Sequence, residues 1–182
     1  MFGFLNIDKP VGMTSFAVVA KLRKILGVKK IGHAGTLDPL ATGILPIALG
    51  KATKLIPFVM DGKKTYEFEV TWGSETETDD AEGAVVQTSD KRPTKDEIKK
   101  VLSKFIGQIE QIPPKYSALK VDGKKAYDLA RAGKEVQLKA RQIQIDSLEL
   151  IQFDKEKASF KVVCGKGTYV RSLGHDMGRE LG

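Results

Sequence analysis

Cysteine and histidine are scarce in this chain of 182 residues, which has only Cys164, His33 and His175 of those two types. One thiol cannot close an internal disulfide, so the fold must rest on a hydrophobic core, which a chain of this length can bury. So few soft donors argue against a dedicated zinc site. A charged-then-apolar leader and a long uncharged apolar run are both missing, so a cytoplasmic chain with no membrane partner is expected. Acidic residues are outnumbered, with 30 Lys and Arg facing 23 Asp and Glu for a net charge of +7. A surplus of that sign favours a polyanionic partner through phosphate contact and counterion release.

The surplus is uneven. Residues 113–142 hold eight basic side chains, among them Lys124 and Lys125, against three acidic ones, Asp122, Asp128 and Glu135. That concentration reads as a surface arm for phosphate, with a solvated lysine-rich loop as the alternative. A second charged run, Glu75, Glu77, Asp79, Asp80 and Glu82, lacks the glycine-framed spacing of a calcium loop. It reads as a solvated loop, and a metal-dependent hydrolase built on it ranks last among the functional readings.

Periodicity orders the elements. Residues 3–8 form a short apolar strand, and Thr14 or Ser15 caps a helix that carries Phe16, Val19, Leu22, Ile25 and Leu26 and stops at Gly27. Residues 31–43, with Gly32, Gly35, Pro39 and Gly43, are too punctuated for regular structure and read as a loop between two apolar elements. A buried strand over 44–49 and a short helix over 51–60 follow. Tyr66, Phe68, Val70 and Trp72 alternate with polar residues as a half-buried strand does. Thr94 and Glu97 have capping-box spacing for a helix to about Phe105. Segments 143–153 and 158–164 read as an antiparallel hairpin, and a helix starts near Thr168. Intermingled strands and helices with a hairpin predict an α+β fold, with a mixed, largely antiparallel sheet flanked by helices.

One carboxylate stands out. Asp38 lies in a constrained loop where Pro39 biases it toward extended geometry and glycines permit close backbone approach. By spacing alone it either serves chemistry or simply starts an Asp-Pro turn.

The run GHAGTLDPLATGILP at 32–46, preceded by NIDKPVGMTS, resembles the signature of the TruB family of pseudouridine synthases. KKTYEFEVTWG, PPKYSALKVDGKKAYDLARAG and CGKGTYVRSLGHDMG follow in the family's order, so the resemblance covers the whole chain, 1–182. It implies an isomerase that converts the uridine at position 55, in the T arm of tRNA, to pseudouridine. Asp38 would be its catalytic carboxylate and Arg171 the guanidinium paired with it, which would orient the carboxylate and favour its charged form. Tyr66 matches a tyrosine that stacks on the target base and assists loss of the C5 proton, although its place in the alternation also suits core packing. Tyr169 matches a substrate-contacting tyrosine, and His33 one that packs against rearranged loop nucleotides once the uridine leaves its stack. The 113–142 segment matches a thumb-like insert that closes over RNA, with Lys124 and Lys125 tracking phosphate. The reaction breaks C1′–N1 and makes C1′–C5 with no net redox change, so no cofactor and no metal are expected, and a monomer is. Family members continue past this length, many into a small PUA domain, and an apolar residue that contacts the target uracil lies in that later part. The chain is therefore expected to be C-terminally incomplete, without a PUA domain. An RNA-binding or tRNA-chaperone fragment without turnover is the alternative reading.

Overall fold

The computed structural model describes residues 1–121, 123–133 and 136–182, and the side chain of Lys125 lies outside that description. Asp122, Lys134 and Glu135, three of the charged residues of the basic segment, lie outside the described residues. The chain divides into two compact units, residues 1–62 and 63–182.

In the first unit, β1 (Gly3–Lys9), β2 (Ile31–His33) and β3 (Gly43–Leu49) form an antiparallel sheet in the order β1-β3-β2. Helix α1 (Ser15–Leu26) starts at Thr14, whose hydroxyl accepts from the Ala17 N–H, and ends at Gly27. Gly27 adopts φ 63°, a left-handed conformation that glycine enters without steric cost, and its N–H returns to the Arg23 carbonyl. Val18 and Val19 of α1 are buried with Ile31, Leu45, Ile47 and Leu49, and Leu5, Ile7 and Leu37 pack against that core. Two expectations need correction here. The segment 31–43 is not all loop, because its first three residues pair with β3 and the Ala34 N–H extends the pairing to the Pro46 carbonyl at 2.8 Å. The helix expected over 51–60 begins as a 3₁₀ turn, Gly50–Leu55, and becomes α-helical only in α2 (Ile56–Asp61). Pro57 is the reason, since a residue without an N–H fits the first turn of an α-helix and not its interior.

The second unit is built on β4 (Lys64–Thr71), β7 (Gly107–Gln111), β10 (Arg141–Phe153) and β11 (Lys157–Cys164), paired antiparallel in the order β4-β11-β10-β7. The alternation read around Tyr66 sets the face of β4, and Phe160 on β11 stacks on Phe68 at 5.4 Å and meets Trp72 edge-on at 6.4 Å. Helix α3 (Lys95–Leu102) carries the expected capping box between Thr94 and Glu97, and buries Ile98, Val101 and Leu102. Helix α5 (Val170–Leu181) adds Leu173, Met177 and Leu181 to the same core.

Two small hairpins complete the unit. One joins β5 (Ser74–Thr76) to β6 (Val85–Thr88). The other joins β8 (Lys120–Val121) to β9 (Lys124–Lys125), with α4 (Ala126–Arg131) directly after it. The α+β class holds, and every strand pair among the described residues is antiparallel. No helix among them is long and apolar enough to cross a membrane.

Candidate active site

Asp38 opens a tight turn, closed by the Ala41 N–H donating to the Asp38 carbonyl at 3.1 Å with Pro39 in the second position. The turn reading and the functional reading are thus compatible: the residue starts a turn and is itself exposed. Its neighbours are not loose. Leu37 packs against the core of the first unit. Its backbone is held by Ser15, whose Oγ accepts from the Leu37 N–H at 2.9 Å and donates to the Leu37 carbonyl at 3.1 Å.

On the other side, the Pro39 carbonyl accepts from the Gly12 N–H at 2.8 Å and from Lys9 Nζ at 3.3 Å. Lys9 has 0 % of its surface exposed, and its ammonium also donates to the carbonyls of Pro10 at 3.0 Å and Met13 at 2.8 Å. A buried charge without such acceptors would be strongly unfavourable, so this lysine welds the 10–13 turn to the Asp38 turn. His33 closes β2, half-buried, with its Nδ1 on the Gly35 carbonyl.

The remaining sequence-derived candidates belong to the second unit. Tyr66 is half-buried on β4, and burial, with a smaller contribution from Cys164, pushes its phenol above the usual range. Tyr169 precedes α5 in extended conformation. Both its backbone groups are taken by the side chain of Gln111: the Tyr169 N–H donates to Oε1 at 2.8 Å, and Nε2 donates to the Tyr169 carbonyl at 3.1 Å. Arg171 donates from Nη1 to the Thr78 carbonyl at 2.9 Å and from Nη2 to the Tyr116 carbonyl at 3.0 Å, and lies 3.5 Å from Asp80. The structure therefore places Arg171 between the acidic segment and the start of the basic insert. Lys124 is exposed on β9.

The acidic run is a solvated loop only in part: Glu77 and Glu82 are exposed, while Glu75, Asp79 and Asp80 are half-buried. Glu75 accepts from Nε and Nη2 of Arg179 at 3.1 and 2.9 Å, and Asp79 meets His175 Nδ1 at 2.8 Å. Glu77 accepts from the Tyr116 hydroxyl at 2.7 Å. Glu75 and Asp79, which answer cations of α5, are half-buried where isolated acidic residues would be fully hydrated, whereas Glu77 stays exposed beside the phenol of the insert. Sequence reasoning also gave no site role to Lys9, to Ser15, which it read only as a possible helix cap, or to Gln111. Lys9 and Ser15 sit inside the NIDKPVGMTS run, Lys9 directly before the Pro-Val-Gly turn and Ser15 three residues after it. Gln111 offered no signal, because its partner is 58 positions away.

The chain is similar to a chain of a solved Cbf5-Nop10-Gar1 complex, with a TM-score of 0.75 and 32% identity over 100% of this chain and 45% of that one. It is similar as well to an H/ACA RNP structure bound to a substrate RNA containing 2′-deoxyuridine, with a TM-score of 0.71 and 30% identity over 100% of this chain and 43% of that one. The model of the TruB family pseudouridylate synthase N-terminal domain matches residues 23–170, and the chain belongs to that family. A tRNA pseudouridine synthase B of Brucella ovis is 55% identical over 99% of this chain. The chain spans 56% of the length of that relative.

Proposed function

We propose that the chain is the catalytic portion of a tRNA pseudouridine synthase that isomerises uridine-55 of the T arm, with Asp38 as its essential carboxylate. The observation that carries this is an exposed aspartate fixed on both sides, by Ser15 at Leu37 and by Gly12 and Lys9 at Pro39, in a chain of this family. A carboxylate that must meet one sugar–base junction gains from a backbone that cannot drift, since misplacement by about 1 Å can cost up to about a hundredfold in rate.

The reaction detaches uracil at C1′–N1, turns it over and joins C5 to C1′; the C5 proton leaves and N1 gains one, so atoms balance without a donor. Arg171 is the guanidinium we assign to serve Asp38. Tyr66 is assigned to stack on the base. With its phenol held protonated by burial, it suits stacking and hydrogen bonding better than removal of the C5 proton. Tyr169 and His33 are assigned to RNA contact, and Lys124 and Lys125 to phosphate. Similarity to an H/ACA RNP bound to a substrate RNA supports an RNA partner. So does the excess of eight basic over three acidic residues within 1–62, alongside the basic insert.

Tritium release from tRNA labelled at C5 of uridine tests the reading. Release by the wild-type chain that Asp38→Asn abolishes, with tRNA affinity kept within a few fold, is the expected result. Retained tRNA binding with no release by the wild-type chain would leave an RNA-binding protein without turnover. Release that survives in Asp38→Asn would remove that residue from the chemistry.

A further inference from the structure

Ser15 is the first residue of α1, one place inside the N-cap, which is the position whose hydroxyl caps a helix. Here Thr14 does that work, its Oγ1 accepting from the Ala17 N–H at 3.0 Å. The Ser15 hydroxyl is left for a different task. Only 2 % of the residue is exposed, and its Oγ occupies both hydrogen-bonding groups of the Leu37 backbone at once. A side chain that accepts from an N–H and donates to the C=O of the same residue replaces a neighbouring strand, which is what an exposed loop lacks.

We propose that Ser15 is a positioning residue for Asp38. The proposal rests on the reading of Asp38 as the reacting carboxylate and says how that carboxylate is held. The Leu37 side chain is anchored in the core, and its backbone is fixed by Ser15. Pro39 is fixed by Gly12 and Lys9. Asp38 is the one residue between the two anchors, and it is exposed, so they fix the backbone from which its carboxylate projects. Loss of the Ser15 oxygen strips the Leu37 amide and carbonyl of their partner together and frees one of the two anchors.

The experiment compares Ser15→Ala, Thr14→Ala and Asp38→Asn with the wild-type chain. Three quantities are read: single-turnover tritium release from C5-labelled tRNA, tRNA affinity, and amide hydrogen exchange at Leu37. Ser15→Ala is expected to slow release about tenfold with affinity within about twofold, the split that misplacement of a reacting group produces. Its Leu37 amide is expected to exchange at least about tenfold faster, while amides of α3 in the other unit keep their protection. Thr14→Ala removes a helix cap next door without touching Leu37 and is expected to release tritium at the wild-type rate. Wild-type release by Ser15→Ala beside an inactive Asp38→Asn overturns the proposal and leaves the role of Asp38 standing. Equal slowing by Thr14→Ala overturns it too, because the effect would then belong to helix stability. Activity retained by Asp38→Asn sinks the reading of that carboxylate itself. If the wild-type chain releases no tritium, exchange decides: a Leu37 amide still protected in Ser15→Ala overturns the clamp, and a deprotected one upholds it.

Discussion

His175 shows what a single side chain contributes outside the candidate site. Its imidazole faces Asp79 at 2.8 Å and Glu75 at 3.9 Å, with Arg179 and Asp176 on its own helix. The hydrogen bond to Asp79 raises its pKa above the ordinary 6.5, against the opposing effect of burial. A histidine with a raised folded pKa binds its proton more tightly in the native state. Its stabilisation is therefore complete below about pH 6.5 and is lost as pH climbs through the raised value. Between pH 6 and pH 8.5 the wild-type chain should lose more stability in urea unfolding than His175→Gln does. Parallel losses would show that the contact does not couple to the proton. This residue lay in a quoted motif, yet its partner Asp79 was read as solvated, because nothing along the chain announces that α5 packs beside the acidic segment.

At the scale of elements, legibility followed sequence distance. The capping box of α3 was readable because Thr94 and Glu97 are three residues apart, and the structure shows the Thr94 N–H and hydroxyl both on Glu97 Oε2 at 2.7 and 2.8 Å. Thr94→Ala should destabilise the chain by about 1 kcal/mol, read as a lower urea midpoint with unchanged slope. A midpoint within error of wild type would mean that tertiary packing alone holds the helix. Strand β4 was readable from its alternation, and β10 with β11 from two apolar runs around a polar turn. Strand β7 was not, because Gly-Gln-Ile-Glu-Gln offers one apolar side chain and takes its strand character from pairing with β10. The β5–β6 hairpin escaped for a related reason: Val85 and Val86 are consecutive and exposed, so no period-two face marks the strand. Asp38 was legible through its motif, whereas the groups that hold its neighbours, Ser15 on Leu37 and Lys9 on Pro39 across 22 and 30 residues, emerge only in the folded first unit.

For the whole molecule, charge sets the expected partner, and the salt dependence of binding is the quantity that measures it. Neutralising Lys124 and Lys125 together should weaken tRNA binding and reduce the slope of log affinity against log salt by about 1 to 2, as the loss of one or two phosphate contacts requires. An unchanged slope would take the β8–β9 hairpin out of the interface. The two units also differ in how far apart their paired strands lie along the chain, and this bears on their synthesis. Strand β1 meets β3 within the first fifty residues, whereas Tyr66 on β4 lies opposite Val162 on β11. A ribosome releases the N-terminal end first, so the first unit can close its sheet while the second is still being made. The apolar face of Phe68, Val70 and Trp72 must then wait for β11, and that interval is when the nascent chain most needs a chaperone.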